Sequence, residues 1–181
     1  MCIRDRSRCC IIFSKNGSNG WFNTADLCDD HNLEIAKPIF KLFGANSHCH
    51  GRIRTVEAIN DNSYVKKLLS EDGHGCVMVV DGKGSEKCAL VGDNLAELGF
   101  KNGWSGIIVN GCIRDSLEIS KISISIKAIN LVPNKSEKKD VGKYGIDLSF
   151  AGILFKENDF IYSDPDGIVV SSSELIKWYQ T

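Results

Sequence analysis

The chain has 181 residues, of which 43% are hydrophobic and 25% charged, ordinary values for one globular domain with a core. With 22 basic and 23 acidic residues its formal net charge is -1, so the composition favours neither direct nucleic-acid binding nor a charged interaction tail. No apolar run approaches the roughly 18 residues of a membrane span, so no membrane segment is expected. The eight cysteines form no CxxC pair, which favours reduced thiols of a cytoplasmic protein over a disulfide framework or zinc site.

The N-terminal segment differs from the rest of the chain. Residues 1–6 (MCIRDR) resemble the translation of a transposon end used in preparing DNA libraries. The apolar run that follows is too short for the core of a signal peptide. We therefore predict that residues 1–22 are non-native or disordered and that residues 23–181 form one domain.

Residues 24–71 predict two helices with a strand between them. Thr24 is a good N-cap and is followed by acidic residues, which the helix dipole favours in a first turn. Residues 52–59 alternate polar and apolar side chains, the period of a half-buried strand. Asn62 is expected to cap a helix over residues 63–71, with its apolar residues on one face.

The middle of the chain predicts the centre of the domain. Residues 76–81 are a continuous apolar run ending in an acid, typical of a strand buried on both faces. A loop at residues 82–85 is expected next, followed by a helix from Gly92 to Asn102-Gly103 and a buried strand at 106–110. After this strand we expect a turn at 111–115, a short helix at 116–119 and an alternating strand at 122–128.

The end of the chain predicts antiparallel β-structure. Residues 135–143 are polar and lysine-rich, which indicates a solvated loop. Four short strands are expected at residues 148–150, 153–155, 160–163 and 168–170, before a last helix that Ser173 caps and that runs through Trp178. A β-α-β-α-β middle with an antiparallel end predicts a mixed α/β domain, with helices against one sheet and a second sheet behind.

The pattern that points to a reaction is Asp93, then twenty residues, then Arg114-Asp115. Ligands of α/β proteins bind at the carboxyl ends of strands, where residues 81–84 and residues 111–115 both fall. Gly92-Asp93-Asn94-Leu95 opens a helix, whose free N–H groups and dipole suit a carboxylate. Arg114 offers a planar set of donors for a carboxylate or enolate oxygen. Asp115 is a hard oxygen ligand that suits Mg²⁺ or Mn²⁺.

These parts fit carbon–carbon cleavage next to a 2-keto acid. A metal chelated by the keto oxygen and the carboxylate would polarise the carbonyl, and Arg114 would stabilise the charge that develops. Asp93 would be the base that orients a proton-relaying water. Neither Lys83 nor Lys87 is expected as a Schiff-base lysine, because both fall in loop-like segments.

Each part also has a plainer interpretation. Gly92 alone is a simple helix start as readily as an anion site, and Arg114-Asp115 alone is more often a surface ion pair. Gly82-x-Gly84 is more often a tight turn than a phosphate loop. Residues 48–50 (His-Cys-His) are more often a polar loop than a metal site.

Three segments resemble the RraA-like family: residues 24–29 (TADLCD), 79–85 (VVDGKGS) and 102–115 (NGWSGIIVNGCIRD). The resemblance covers roughly residues 23–175. It implies a swivelling β/β/α, sandwich-like single α/β domain with a mixed sheet. It also implies a homotrimer with the site between subunits, to which some family aldolases add an acid from a neighbouring subunit.

The family includes 4-hydroxy-4-methyl-2-oxoglutarate aldolases, class II enzymes that release pyruvate and also decarboxylate oxaloacetate through the same pyruvate enolate. They share an Asp, twenty residues, then Arg-Asp, which this chain matches. The resemblance implies that Gly92, Asp93, Asn94, Leu95 and Arg114 bind a small 2-keto acid, that Asp93 and Arg114 are catalytic, and that Asp115 holds the metal.

The same family includes RraA proper, a protein inhibitor of ribonuclease E. Such regulators can lack the acid after the arginine, which Asp115 supplies here. A non-catalytic regulator of ribonuclease E is the alternative to the aldolase, and a keto-acid or phosphate binding module is a third possibility. Some relatives have been labelled demethylmenaquinone methyltransferases, but this sequence contains no convincing adenosyl-methionine loop.

Overall fold

A computed structural model of the chain describes residues 12–13, 19–20 and 22–176. Its strands are β1 (Ile12–Phe13), β2 (Asn19–Gly20), β3 (Glu34–Ile35), β4 (Lys41–Leu42), β5 (Cys49–Glu57), β6 (Cys76–Asp81), β7 (Ala89–Val91), β8 (Gly106–Ile113), β9 (Ser125–Leu131), β10 (Lys143–Tyr144), β11 (Leu148–Phe150), β12 (Ile153–Phe155), β13 (Phe160–Ser163) and β14 (Ile168–Ser171). Its helices are α1 (Thr24–Asp30), α2 (Ser63–Leu69), α3 (Asp93–Lys101) and α4 (Ser116–Ile119). Most of residues 1–22 lie outside the described part, so the expectation for that segment stays a prediction.

One ten-stranded mixed sheet organises the domain, in the order β3-β14-β13-β5-β6-β8-β9-β4, with β10 beside β5 and β7 beside β8. Its centre, β5-β6-β8-β9, is parallel, and its outer strands are antiparallel. The separate hairpin β11-β12 is antiparallel. The predicted mixed α/β single domain is confirmed.

The central strands are buried because both faces of the sheet are covered. On one face, α2, α3 and α4 pack over a cluster that includes Met78 and Ile107. On the other face, the hairpin β11-β12 packs in a cluster that includes Val79 and Ile108, to which β13 and β14 of the same sheet also contribute residues. This double cover explains why β6 and β8 are nearly continuous apolar runs. No helix in residues 22–176 is long and apolar enough to cross a membrane.

The caps of α1 and α2 differ from the expectation. Asn23, and not Thr24, caps α1, since its Oδ1 accepts a hydrogen bond of 2.9 Å from the backbone N–H of Ala25. Thr24 instead donates its N–H and its hydroxyl to the buried carboxylate of Asp164, at 2.6 and 2.7 Å. Helix α1 is thus attached to the β13-β14 turn, a contact that no local pattern specifies.

At α2, the side chain of Asn62 makes no cap hydrogen bond and donates instead to the carbonyl of Leu90, at 3.2 Å. The preceding residue, Asp61, caps the helix start instead, because its carboxylate accepts the N–H of Ser63 at 2.7 Å. Val65, Leu68 and Leu69 are buried, as expected for apolar residues on one face of α2.

Three predicted boundaries are wrong. Residues 111–113, expected as a turn, continue β8, because β7 supplies a partner strand after β6 has ended. Strand β9 starts only at Ser125, and its first four residues are all buried, including the polar Lys127. Residues 173–176 are not helical, and the remainder of the predicted last helix lies outside the described residues.

Residues 48–50 do not form the polar loop that was expected. Cys49 and His50 are buried at the start of β5. The His50 ring stacks on Tyr162, with 5.9 Å between centroids, and meets the edge of Phe22 at 5.4 Å. Burial lowers the pKa of His50 to about 4 and raises the pKa of the Cys49 thiol to about 11.

The buried His50 makes the stability of the fold sensitive to acid. Its folded pKa of about 4 lies below the ordinary 6.5, so the unfolded chain binds a proton that the folded chain excludes. Stability contributed by neutral His50 is complete above pH 6.5 and lost as pH falls towards 4. When the pH falls from 7.5 to 4.5, the unfolding free energy of the wild type should drop by about 2–3 kcal/mol more than that of His50→Phe. Urea titration of both proteins at the two pH values measures this difference.

The exposed His31 provides the control. His31→Phe should keep the wild-type dependence on pH. If His50→Phe and the wild type lost equal free energy over this range, the His50 ring would not be the source of the acid sensitivity.

Candidate functional site

The two parts of the predicted site lie side by side because β7 and β8 are parallel neighbours. Val91 is the register partner of Ile113, and the N–H of Arg114 donates to the carbonyl of Val91 at 3.0 Å. The chain therefore leaves both strands at the same edge of the sheet. Gly92 follows one strand directly and Arg114 follows the other.

Gly92 allows a close approach between these two exits. A Cβ on Gly92 would lie 2.8 Å from Asp115 Oδ2 and 3.3 Å from Arg114 Nε. The backbone itself does not require glycine, because φ is −126°. Residue 92 therefore has to be glycine because a larger side chain would not fit. The structure brings Gly92, Arg114 and Asp115 into contact across the twenty-residue gap.

Arg114 and Asp115 form an ion pair at the sheet edge, with 3.2 Å between Nε and Oδ2. Asp115 has φ 58° and ψ 39°, a left-handed conformation that Asp tolerates better than most residues. Its side chain makes no cap hydrogen bond to α4. Each side chain is 36% exposed, so the pair contributes little to stability and can exchange for a ligand at little cost.

Helix α3 begins at Asp93, so the N–H groups of its first turn have no partner within the helix. One of them is already engaged: the Asn94 N–H donates to Asp93 Oδ1 at 2.7 Å, and Asn94 Nδ2 donates to the same oxygen at 3.0 Å. Leu95 is buried and offers a ligand only its backbone. An anion at this helix end would compete with the Asp93 carboxylate for the Asn94 amide.

Two clefts of opposite charge meet at Asp93. The basic cleft has a volume of about 510 Å³ and is lined by Asn62, Lys66, Ala89, Gly92, Asp93, Asn94, Leu95, Leu98, Arg114, Lys135, Ser136 and Lys138. The acidic cleft, of about 320 Å³, is lined by Asp93, Asp115, Ser116, Leu117 and Glu118. The site therefore has a basic side and an acidic side that share one carboxylate.

The donors on the acidic side fit only a hard, largely hydrated cation. Within the described residues, no group of three or more His, Cys, Asp or Glu side chains is arranged to hold a metal ion. Mg²⁺ keeps several waters and needs only one or two carboxylates in addition to its substrate, which Asp115 and its neighbours can supply. A tetrahedral zinc site would require more protein ligands than these.

A second polar cluster lies at the same end of the sheet, where residues 81–84 were expected, but the partners of Asp81 were not predicted from the sequence. The Asp81 carboxylate is fully buried at the end of β6 and accepts hydrogen bonds from Lys83 Nζ and Asn110 Nδ2, both at 2.7 Å. Lys83 Nζ also lies 3.0 Å from Glu57. The sequence does carry a signal, since Asp81 and Asn110 end two adjacent apolar runs, and they are register partners.

Two lysines with shifted pKa values, Lys83 and Lys127, are not suited to form a Schiff base at the site. The hydrogen bond to Asp81, followed by that to Glu57, raises the pKa of Lys83 and keeps it protonated. Burial lowers the pKa of Lys127, but its ammonium donates to the carbonyl oxygens of Asp164 and Gly167 and lines neither cleft. Neither of these two amines is therefore a candidate for Schiff-base chemistry.

The chain is a mixed α/β domain with two clefts, a candidate ligand site, at the ends of two parallel strands. The profile of the RraA-like family, described as Aldolase/RraA, matches residues 24–170, and the chain belongs to this family. The resemblance expected from the sequence is confirmed.

The chain is similar to several known proteins over nearly their whole length. One is the "Putative 4-hydroxy-4-methyl-2-oxoglutarate aldolase" of Alkalilimnicola ehrlichii, 49% identical over 156 residues, which are 85% of this chain and 97% of that protein. Among solved structures, an S-adenosylmethionine: 2-dimethylmenaquinone methyltransferase from Geobacillus kaustophilus has a TM-score of 0.84 and 39% identity, covering 85% of this chain and 97% of that one. The RNA-processing inhibitor RraA from Thermus thermophilis has a TM-score of 0.83 and 35% identity, covering 84% and 94%. These likenesses confirm the fold class, while the roles of individual site residues stay predictions.

Adding one methyl group at Gly92 should separate the site's geometry from the stability of the fold. In Gly92→Ala the new Cβ would displace the Asp115 carboxylate and the Arg114 guanidinium, both ends of flexible side chains. We expect an unfolding free energy lower by about 1 kcal/mol or less, because alanine is a poorer N-cap than glycine. A crystal structure should show Asp115 Oδ2 moved away from residue 92.

Gly167→Ala is the matched control, since a Cβ there meets nothing within 4 Å. It should leave the Arg114–Asp115 pair in place. An unmoved pair in Gly92→Ala would contradict the tight packing assigned to this contact.

Proposed function

We propose that the protein is a divalent-metal-dependent aldolase that cleaves 4-hydroxy-4-methyl-2-oxoglutarate into two molecules of pyruvate and also decarboxylates oxaloacetate. The observation that carries the proposal is the contact of Gly92 with Arg114 and Asp115 where the basic and acidic clefts meet. The name of the Alkalilimnicola ehrlichii relative supports the same substrate.

The basic side of the site is suited to the keto-acid end of the substrate. The α3 N-terminus and Arg114 would bind the carboxylate next to the keto group. Arg114 would also stabilise the negative charge that forms on the keto oxygen when the substrate becomes an enolate. A divalent ion held by Asp115, with water completing its coordination, would act as a Lewis acid on the keto group.

We assign the proton transfer to Asp93. In aldol cleavage the C3–C4 bond breaks, its electron pair forms the pyruvate enolate, and the 4-hydroxyl loses its proton as C4 becomes the carbonyl of one pyruvate. The enolate then takes up a proton at C3 from solvent to give the second pyruvate. Asp93 Oδ1 is held by Asn94, so we assign Oδ2 to accept that proton, directly or through a water. In oxaloacetate the same bond breaks with loss of CO₂, and no hydroxyl proton has to be removed.

The first test is pyruvate release from both substrates, with magnesium and with a chelator. We expect turnover that requires the metal, loss of the metal-dependent rate in Asp115→Ala, and a drop of about 10²–10³-fold in Arg114→Ala. Asp30→Ala, at an exposed position on α1, should retain the wild-type rate. If neither substrate is turned over in a metal-dependent way, the proposed enzyme function is refuted.

The second test separates the two reactions. Asp93→Asn can still accept the Asn94 hydrogen bonds but cannot take up a proton. We expect aldol cleavage to slow by about 10²-fold or more, the contribution of a general base, and decarboxylation to slow much less. The measurement is the ratio of the two kcat values in variant and wild type. An equal loss in both reactions would assign Asp93 to binding instead of proton transfer.

A regulator of ribonuclease E is the second candidate function. The likeness to the Thermus thermophilis RNA-processing inhibitor, at 35% identity and a TM-score of 0.83, favours it. The test is RNA cleavage by ribonuclease E with and without this protein. Inhibition that survives in Arg114→Ala would establish a regulatory surface separate from the catalytic site, and no inhibition by the wild type would exclude this function.

A further inference from the structure

Three lysines at the mouth of the basic cleft have no part in the enolate chemistry. We call Lys66, Lys135 and Lys138 the lysine rim. Together with Arg114 they place four cations in a cleft lined by a single acid, Asp93, although the whole chain has a net charge of -1. The rim joins two segments that are distant in sequence, α2 and the loop of residues 132–142. Such a local excess of one charge suits an anionic group beyond the carboxylate that Arg114 binds.

The loop that carries two of these lysines is anchored by a buried acid. Asp61 is 3% exposed, and its Oδ2 accepts the N–H groups of Lys139 at 2.7 Å and Val141 at 3.2 Å. Its Oδ1 accepts the N–H of Ser63 at the start of α2. Burial raises the pKa of Asp61, but these hydrogen bonds outweigh it and the net pKa is below the ordinary value. One ionised carboxylate thus fixes both segments of the rim relative to each other.

The other end of the loop is attached to β7. The N–H of Ala89 donates to the carbonyl of Asn134 at 2.8 Å, and Ala89 forms a parallel bridge with Lys135. Between the two rim lysines the side chain of Ser136 is buried, while both lysines are exposed. The backbone under the rim is therefore fixed against β7, so a ligand has to order only the lysine side chains.

Neighbouring lysines differ from the rim in having partners of their own. Lys67 lies over the Tyr64 ring, 5.2 Å from its centroid, and Lys139 pairs with Glu137. Within the described residues, no carboxylate lies at ion-pair distance from the three rim ammonium groups. The rim is thus a set of uncompensated charges on a fixed backbone that faces the substrate cleft.

We propose that the lysine rim binds a second carboxylate of the substrate and so selects 4-hydroxy-2-keto acids that carry a carboxylate on C4. The inference rests on the proposed function and extends it from the enolate half to the other half of the substrate. The carboxylate next to the keto group binds at Arg114 and the α3 N-terminus, and the distal one binds at the rim. Lys66, Lys135 and Lys138 determine specificity and do not touch the reacting bond.

The test uses two substrates that differ only at the distal group. Cleavage of 4-hydroxy-4-methyl-2-oxoglutarate gives two pyruvates, while 4-hydroxy-4-methyl-2-oxopentanoate, with a methyl group in place of the distal carboxylate, gives pyruvate and acetone. In the triple variant Lys66→Gln/Lys135→Gln/Lys138→Gln the ratio of the two kcat/KM values should fall about tenfold, as three exposed charge contacts allow.

The control is Lys67→Gln/Lys139→Gln, which removes two lysines next to the rim that have other partners. It should keep the wild-type ratio. An unchanged ratio in the triple variant, or an equal fall in the control, would overturn the proposal, because the rim would then not recognise the distal carboxylate.

A binding measurement tests whether the lysine rim recognises the distal carboxylate, even if the wild type cleaves neither substrate and the proposed function fails. Calorimetry with magnesium compares 2-oxoglutarate with 2-oxopentanoate, which differ in the same way. A wild-type preference for the dicarboxylate that falls about tenfold in the triple variant supports the rim. Equal affinities for the two acids in the wild type, or a preference that survives the triple variant, refute it.

Discussion

The candidate site depends on the parallel pairing of β7 with β8. Strand β7 has only three residues, yet its register with Cys112 and Ile113 sets which residues leave the sheet together. If this short strand shifted by one residue, Gly92 would no longer lie against Asp115, and the start of α3 would lose its place beside Arg114. The chemistry assigned to the site is thus a consequence of backbone pairing more than of any one side-chain interaction.

That pairing also explains how one small site can attract both an anion and a cation. The turn after β7 supplies helix N–H groups, and the turn after β8 supplies a guanidinium and a carboxylate on adjacent residues. Since Arg114 lines the basic cleft and Asp115 the acidic one, the left-handed turn at Asp115 divides the charges between two sides. A 2-keto acid needs this division, because its carboxylate and its keto oxygen are best stabilised by different partners.

The sequence predicted the features that local patterns determine. The apolar run ending in Asp81 and the helix after Gly92 were found because burial on both faces and a glycine-led helix start are visible within a few residues. The extension of β8 was missed because its partner is a three-residue strand that looks like a linker. Lys127 was expected on a polar face, but the carbonyl oxygens that accept its ammonium come from the β13-β14 turn, about forty residues away.

The position of the lysine-rich loop also depends on a contact with a residue distant in sequence, and this contact affects the candidate site. Polar composition correctly indicates a solvent-exposed segment, but it does not reveal that a buried acid 70 to 80 residues earlier holds the backbone. Asp61 fixes the loop by accepting main-chain N–H groups, so the identity of the loop side chains is not constrained by the anchor. The loop can therefore change its lysines without losing its position, whereas Gly92, Arg114 and Asp115 constrain one another through direct contact. Under the proposed function, such a domain can keep its reaction at the enolate half of the substrate while changes in the loop alter recognition of the other half.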